Sequence, residues 1–310
     1  MKLFMTGATG AIGPATVERL VAAGHEVRAV ARTDEKAARL RAQGAEPVTV
    51  DLFDATAVKE AVAGAEGVLH LATNVPETRR AAKAAAWEQH NDLRTTATTH
   101  LVNAARDTGA RVFVKESITF SYLDGGSDWL DEDAPVDAEL AMMKPTLDGE
   151  RRALDFAEGG RRAVVLRFGL FYGPNNRHTD DALKMARRRL STVAGKPRSY
   201  MTSIHNEDVA TAVVAAIDAP TGVYNVGDDE PLTRREYLDA FAEAFGFGRL
   251  IIAPAWLMRL LAGRASRVLT SSQRCSNRRF RAATGWAPQY PSAREGWDAA
   301  ARARKASADA

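Results

Sequence analysis

Lys2-Leu3-Phe4-Met5-Thr6-Gly7-Ala8-Thr9-Gly10-Ala11-Ile12-Gly13 opens the chain. Residues 2–5 are an apolar run of one strand's length. Val17, Leu20 and Val21 then follow at helical spacing until Gly24. The glycines therefore mark a turn from a first strand into a first helix. Gly7 permits the tight turn, Gly10 lets a pyrophosphate approach the backbone, and Gly13 lets the helix pack on the strand. The helix start offers N–H groups and a partial positive charge to an anion. In this context Gly7, Thr9, Gly10, Ala11, Ile12 and Gly13 read as a phosphate cradle.

The rest of the first half repeats the alternation. Strands are expected at residues 27–31, 47–50, 67–71 and 112–114. Between them lie helical patterns at 34–43 and 54–63, and one long helix from 84 to 107. Short apolar strands alternating with amphipathic helices give a doubly wound parallel sheet of the Rossmann type, in the α/β class. After a sixth strand at 164–168 the pattern loosens. Residues 1–170 read as the dinucleotide-binding domain, its sheet completed by segments near 200–228. Residues 171–310 read as a smaller, interleaved C-terminal substrate-binding lobe, with a frayed tail from about 303.

Composition narrows the class. With 310 residues, 45% hydrophobic and 26% charged, the chain can bury a sizeable core. A net charge of +3 is mildly basic; the arginines at 187–189 and at 274, 278, 279 and 281 read for the most part as solvated helix faces rather than a nucleic-acid surface, with contact to a cofactor phosphate as the alternative for the second group. The single cysteine, Cys275, allows no intrachain disulfide and fits a reducing cytoplasm. No apolar run approaches the roughly 18 residues of a membrane span. A strand at residue 2 leaves no room for a signal peptide, and no Cys/His spacing signals a metal.

Thr6 followed by Gly7-x-x-Gly10-x-x-Gly13 resembles the extended and atypical short-chain dehydrogenase/reductases, in the NAD-dependent epimerase/dehydratase group. Nearly the whole chain shares the resemblance, through Leu69-His70-Leu71-Ala72, the 166–174 segment Leu-Arg-Phe-Gly-Leu-Phe-Tyr-Gly-Pro, and Ser203-Ile204-His205-Asn206-Glu207-Asp208-Val209-Ala210. It implies a nicotinamide cofactor held by the glycine turn and by Asp51, Leu52, Leu71, Ala72, Asn91 and Phe168. At the end of the second strand Arg32 follows Ala31, where an acid would select NAD. An arginine there suits a 2′-phosphate, so NADP(H) is favoured over NAD(H). The resemblance also places substrate contacts at Asn175, Asn176, Arg177, His178 and His205. His70 is expected to support the backbone.

The catalytic centre departs from the family. A serine after the fifth strand is kept as Ser117. The usual Tyr-x-x-x-Lys pair is absent: counted back from Glu150, its positions hold Met142 and Thr146. Methionine transfers no proton, so Glu116 and Tyr122, on either side of Ser117, are the candidate replacements. The expected function is an oxidoreductase or epimerase-like enzyme on a small molecule, with a non-standard proton-transfer set. An activated double bond or imine would suit it better than a ketone. A redox-neutral isomerase, cyclase or lyase, and a non-catalytic NADP(H) sensor, are the alternatives. A homodimer is compatible with this reading.

Overall fold

The structure, a computed structural model, describes residues 1–76 and 84–309. Its central sheet has seven strands: β1 (Lys2–Thr6), β2 (Glu26–Val30), β3 (Glu46–Val48), β4 (Gly67–His70), β5 (Val112–Ile118), β6 (Arg162–Phe168) and β7 (Gly222–Val226). They lie in the order β7-β6-β5-β4-β1-β2-β3, every pair parallel. This is the Rossmann arrangement. The strand order reverses at β1, which has β2 on one side and β4 on the other. A crevice opens beyond the carboxyl ends at such a point.

Helices cover both faces, so the strands are apolar throughout rather than alternating. On one face Leu3, Met5, Val114 and Leu166 pack on Val17 and Leu20 of α1 (Gly13–Ala22) and, from late in the chain, on Val209 and Val213 of the helix Asn206–Ala216. On the other, Phe4, Phe113 and Val165 pack on α2 (Ala55–Val62) through Val58 and Val62, and on Leu101 and Phe156.

The connection from β4 to β5 differs from the single helix expected. A 3₁₀ turn, Ala84–Trp87, leads into α3 (Glu88–Asp92). A π-helical turn follows at Leu93–Ala97, and then α4 (Thr98–Asp107). Widening the turn strands carbonyls that an α-helix would satisfy. The Thr98 hydroxyl serves two of them, donating to Leu93 O at 3.3 Å and Arg94 O at 2.8 Å. His70 serves Leu93 O as well, donating from Nε2 at 3.0 Å, while its Nδ1 accepts from the Thr6 hydroxyl at 2.8 Å. That imidazole ties β1 to the π turn across β4. A second helix, α5 (Lys144–Leu154), crosses the turn closely: a Cβ on Gly149 would lie 2.3 Å from Arg94 O.

The C-terminal half builds its own core from Tyr172, Leu238, Phe241 and Trp297. Its helix Arg234–Ala244 starts with a capping box, Thr233 with Glu236. The tail is helical rather than frayed. Ala293–Asp309 is one helix, and Arg304 binds it down by donating to Pro174 O at 2.6 Å and Asp180 at 2.8 Å. Among the described residues, no helix is long and apolar enough to cross a membrane.

Candidate active site

A cleft of about 880 Å³ lies along the carboxyl ends of β1, β2, β4 and β5. At one end it is walled by Arg32, Lys36, Asp51 and Leu52. The glycine turn supplies Gly7, Thr9, Gly10, Ala11 and Ile12, and Leu71 and Ala72 close the middle. The far end meets Glu116, Met142, Thr146, Gly169 and Phe171.

The turn has the form an anion needs. Gly7 has φ +81°, and a Cβ there would sit 2.5 Å from the Leu71 carbonyl. A Cβ on Gly13 would strike Ala8 at 2.2 Å, which is why α1 can start so close to β1. Gly10 differs: only Gly7 O, at 3.2 Å, limits a Cβ there, so its open side faces the cleft. Ile12, at the N-cap, makes no side-chain cap, leaving the positive end of α1 to a ligand. Asp51 uses Oδ1 to accept from Phe53 N at 3.0 Å, which fixes the loop after β3.

Several residues expected in the site lie elsewhere. Ser117 is fully buried. It alternates with Glu116 and Ile118 along β5, and so faces away from the cleft, where its hydroxyl donates to Glu150. Tyr122 is buried as well. Its hydroxyl donates to Asn225 at 2.8 Å and accepts from Arg167 at 2.9 Å, and the Arg167 guanidinium stacks over its ring. Burial raises the Tyr122 phenol far above its ordinary range. Neither side chain reaches the cleft, so both expectations are corrected. Phe168 is also inside the core, against Phe171, and the following Gly169 to Phe171 meet the cleft in its place.

Asn91 turns out of the cleft. Asn175 is exposed outside it, whereas Asn176, Arg177 and His178 line it. The Asn176 amide is already occupied: its oxygen accepts from His178 N at 2.8 Å to cap the helix Arg177–Ala186, and its nitrogen donates to Asn206 at 3.3 Å. His205 is likewise a cap. Its Nδ1 accepts from Glu207 N at 3.3 Å, its ring lies between Tyr172 and Tyr290, and burial pushes it down to about 4.

The polar floor of the cleft joins Glu116, a residue expected in the site, to two that the sequence reading missed. His90 and Arg94 sit one helical turn apart, α3 running into the π turn, and meet Glu116 from β5. Arg94 Nε donates to His90 Nε2 at 2.9 Å, and Arg94 Nη2 donates to Glu116 Oε1 at 3.2 Å. Because His90 Nε2 accepts, the ring proton is on Nδ1. Burial, with Arg94 beside it, pushes His90 down to about 3, so the imidazole is neutral. Beneath them Lys115 donates to Glu116 O at 3.2 Å, and burial lowers its ammonium to about 7. The signal available in the sequence was the i, i+4 spacing of His90 and Arg94 on the long helix before β5.

With this geometry in view, comparisons with known proteins converge. The pattern of the NAD dependent epimerase/dehydratase family matches residues 3–227. A 3-diazoavenalumate denitrifying reductase from a Streptomyces species is 35% identical over 309 residues, covering 96% of this chain and 99% of that protein. Among solved structures, a human epimerase family protein with NADPH superposes with a TM-score of 0.81 at 23% identity, covering 97% of this chain and 99% of that one. The Thermus thermophilus UDP-glucose 4-epimerase with NAD gives 0.78 at 23% identity, over 98% and 99%.

Proposed function

The chain belongs to the NAD dependent epimerase/dehydratase family, and on that premise we propose that it is an NADPH-dependent reductase that replaces an aromatic diazo group by hydrogen, releasing dinitrogen. One observation carries this reading. Met142 and Thr146, which the count back from Glu150 puts at the positions of the resembling family's proton-transfer pair, line the cleft, while Ser117 and Tyr122 are buried away from it.

Reducing a ketone puts negative charge on oxygen, and a proton must reach it. An arenediazonium makes no such demand. Hydride adds to the ring carbon, the C–N bond breaks with its electron pair leaving on nitrogen, and the products are the arene and N₂. Charge balances without a proton, and loss of a gas makes the step irreversible. The full-length similarity to a diazo-denitrifying reductase supports the same chemistry.

The residues fit a nicotinamide dinucleotide. Gly10, Ala11 and Ile12 would hold its pyrophosphate on the uncapped end of α1, and Asp51 and Leu52 would flank the adenine. Arg32 and Lys36 both wall that end, and Asp34 and Glu35, between them in sequence, do not line the cleft, a set suited to a 2′-phosphate. When bound, the nicotinamide supplies hydride. The protein's part at the reacting end is to orient a flat ring against it and keep water away. The apolar side chains of Met142, Met143, Leu170 and Phe171 do this. Excluding water also protects a diazonium from attack by solvent.

The test is turnover with NADPH on simple arenediazonium salts and on a panel of ketones, following nicotinamide absorbance and evolved N₂. One N₂ per NADPH oxidised, above the rate without protein, is expected. Ketone reduction with no diazo turnover would overturn the reading.

A further inference from the structure

The strand Leu190–Ala194 pairs with the strand Ile251–Ala253, and the helix Ala255–Ala262 follows at once. That helix reads Ala-Trp-Leu-Met-Arg-Leu-Leu-Ala, a composition fit for a core, yet none of residues 255–260 is buried. Trp256 and Leu260, one turn apart and so on one face, are 68% and 75% exposed. Ile251 and Leu190, register partners across their strand pair, are exposed as well, and so is Leu269 on the next helix, Ser266–Thr270. This second helix packs on Leu190–Ala194 and on Ala255–Ala262, so the exposed side chains belong to one block of structure. Single exposed apolar residues are ordinary, but five large ones on one block mark a surface that meets something.

The same block carries positive charge without an answer. Between Glu243 and Glu295 the chain has no acidic residue. Arg187, Arg188 and Arg189 lead into Leu190, Arg249 comes just before Ile251, and Arg259 and Arg264 lie in and just after the apolar helix. All six are exposed, and none makes an ion pair among the described residues. Arg267 is different, since Asp137 meets it at 3.5 Å.

We propose that this block is a docking surface for an anionic phospholipid bilayer. A second copy of the chain is a poor occupant: a two-fold contact sets the patch against itself, and unpaired arginines would face unpaired arginines. A soluble polyanion would answer the charge and leave Trp256 and Leu260 in water. A bilayer surface answers both. Its phosphates meet the guanidiniums, the indole sits at headgroup level, and the leucine enters the acyl boundary. Spanning a membrane takes a length that no described helix has, whereas lying in its surface takes only an apolar face with a basic margin.

Position gives the surface a use. The helix Ser266–Thr270 also packs on the turn Thr119–Ser121 at the end of β5, and its Val268 and Leu269 line the cleft. Arg234, 3% exposed, fixes the end of this helix by donating from Nη2 to Leu269 O at 3.1 Å and Ser271 O at 2.8 Å. Leu269 is at once 52% exposed and part of the cleft wall, so the docking face borders the cleft mouth. An apolar substrate dissolved in the bilayer would enter beside it, whatever reaction the cleft performs.

The test is co-sedimentation of the intact protein with vesicles of phosphatidylcholine alone and of equimolar phosphatidylcholine and phosphatidylglycerol. Binding to the anionic vesicles only, with a blue shift of tryptophan emission and release at high salt, is expected. Each arginine near an anionic bilayer is worth about fivefold in affinity, so Arg259→Gln with Arg264→Gln should weaken binding about thirtyfold. Trp256→Ser with Leu260→Ser should weaken it about tenfold or more, and Trp256→Phe should still bind but lose the blue shift. NADPH affinity should stay as it was in every variant, because these side chains lie outside the cleft. If the intact protein binds neither vesicle, or both equally, the proposal fails whatever the variants do. It also fails if binding survives the loss of Trp256 and Leu260, because charge alone then draws a polyanion. A dimer of the intact protein that those two changes dissolve, with no vesicle binding, would make the patch a contact between copies and overturn the proposal.

Discussion

Replacing Glu150 by glutamine isolates the network that holds Ser117 and Tyr122 away from the cleft. Glu150 and Arg167 are 4% and 7% exposed and meet through two bonds, Nε to Oε1 at 3.0 Å and Nη2 to Oε2 at 2.7 Å. The Ser117 hydroxyl donates to the same Oε1. Glutamine keeps the shape and removes the charge, so Arg167 is left as a buried cation facing an amide. Breaking a buried pair by removing one partner costs about 3–5 kcal/mol. Arg167 retains the Tyr122 hydroxyl at 2.9 Å and the ring beneath its guanidinium, which sets the expectation at the low end of that range, about 3 kcal/mol. With a urea slope of about 3 kcal/mol per molar, the unfolding midpoint drops by about 1 M. Replacing both partners, Glu150→Gln with Arg167→Met, should recover much of the loss, because no unpaired charge remains. NADPH affinity should not change in either protein. A single variant that loses less than 1 kcal/mol, or a double variant no better than the single, would refute the buried-network account.

Three further outcomes follow from the same geometry. Ser117→Ala should lose about 1.5–3 kcal/mol of stability in urea, the value of a bond to a carboxylate, with turnover unchanged; a loss of turnover at unchanged stability would return Ser117 to the chemistry. Arg32→Ala, alone and with Lys36→Ala, should weaken NADPH binding about tenfold, about 1.4 kcal/mol, and leave NADH binding as it was, read from nicotinamide fluorescence; equal losses for both cofactors would contradict the 2′-phosphate assignment. Burial holds His90 and His205 neutral, down to about 3 and about 4. The unfolded chain therefore takes up protons first, so stability is full above pH ~6.5 and falls as pH drops toward ~4, by up to about 1.4 kcal/mol per pH unit for each histidine. His205→Gln should flatten the fall in urea midpoint between pH 6.5 and 4.5, and an unchanged slope would show that this histidine is not a source of it.

The frame of the protein was legible because its signals are local. A strand, a glycine turn and a helix at residues 2–24 force one kind of crevice, and the β-branched runs at 112–114 and 164–168 announce strands buried on both faces. The count back from Glu150 drew attention to Met142 and Thr146, and both side chains line the cleft. Parity defeated the reading at Ser117: along a strand one residue decides the face, and it is Glu116 that meets the cleft. The long helix concealed a π turn, whose widening sets Arg94 and Leu93 O in place and has no short sequence signature. Asn176 and His205 are polar residues of the expected kind whose hydrogen bonds are used on helix starts. The Arg94–Glu116 pair joins residues 22 apart and exists only once β5 lies beside the helix.

The central claim is that hydride from the nicotinamide replaces dinitrogen on an aromatic ring with no proton added at that carbon. The most direct measurement supplies NADPH dideuterated at C4 with 2-hydroxybenzenediazonium in ordinary water, and locates the label in the phenol by mass spectrometry and NMR. The account predicts one deuterium, at the carbon that carried nitrogen, with one N₂ released for each cofactor oxidised. Phenol carrying hydrogen from water at that carbon, or N₂ released without cofactor oxidation, would contradict it.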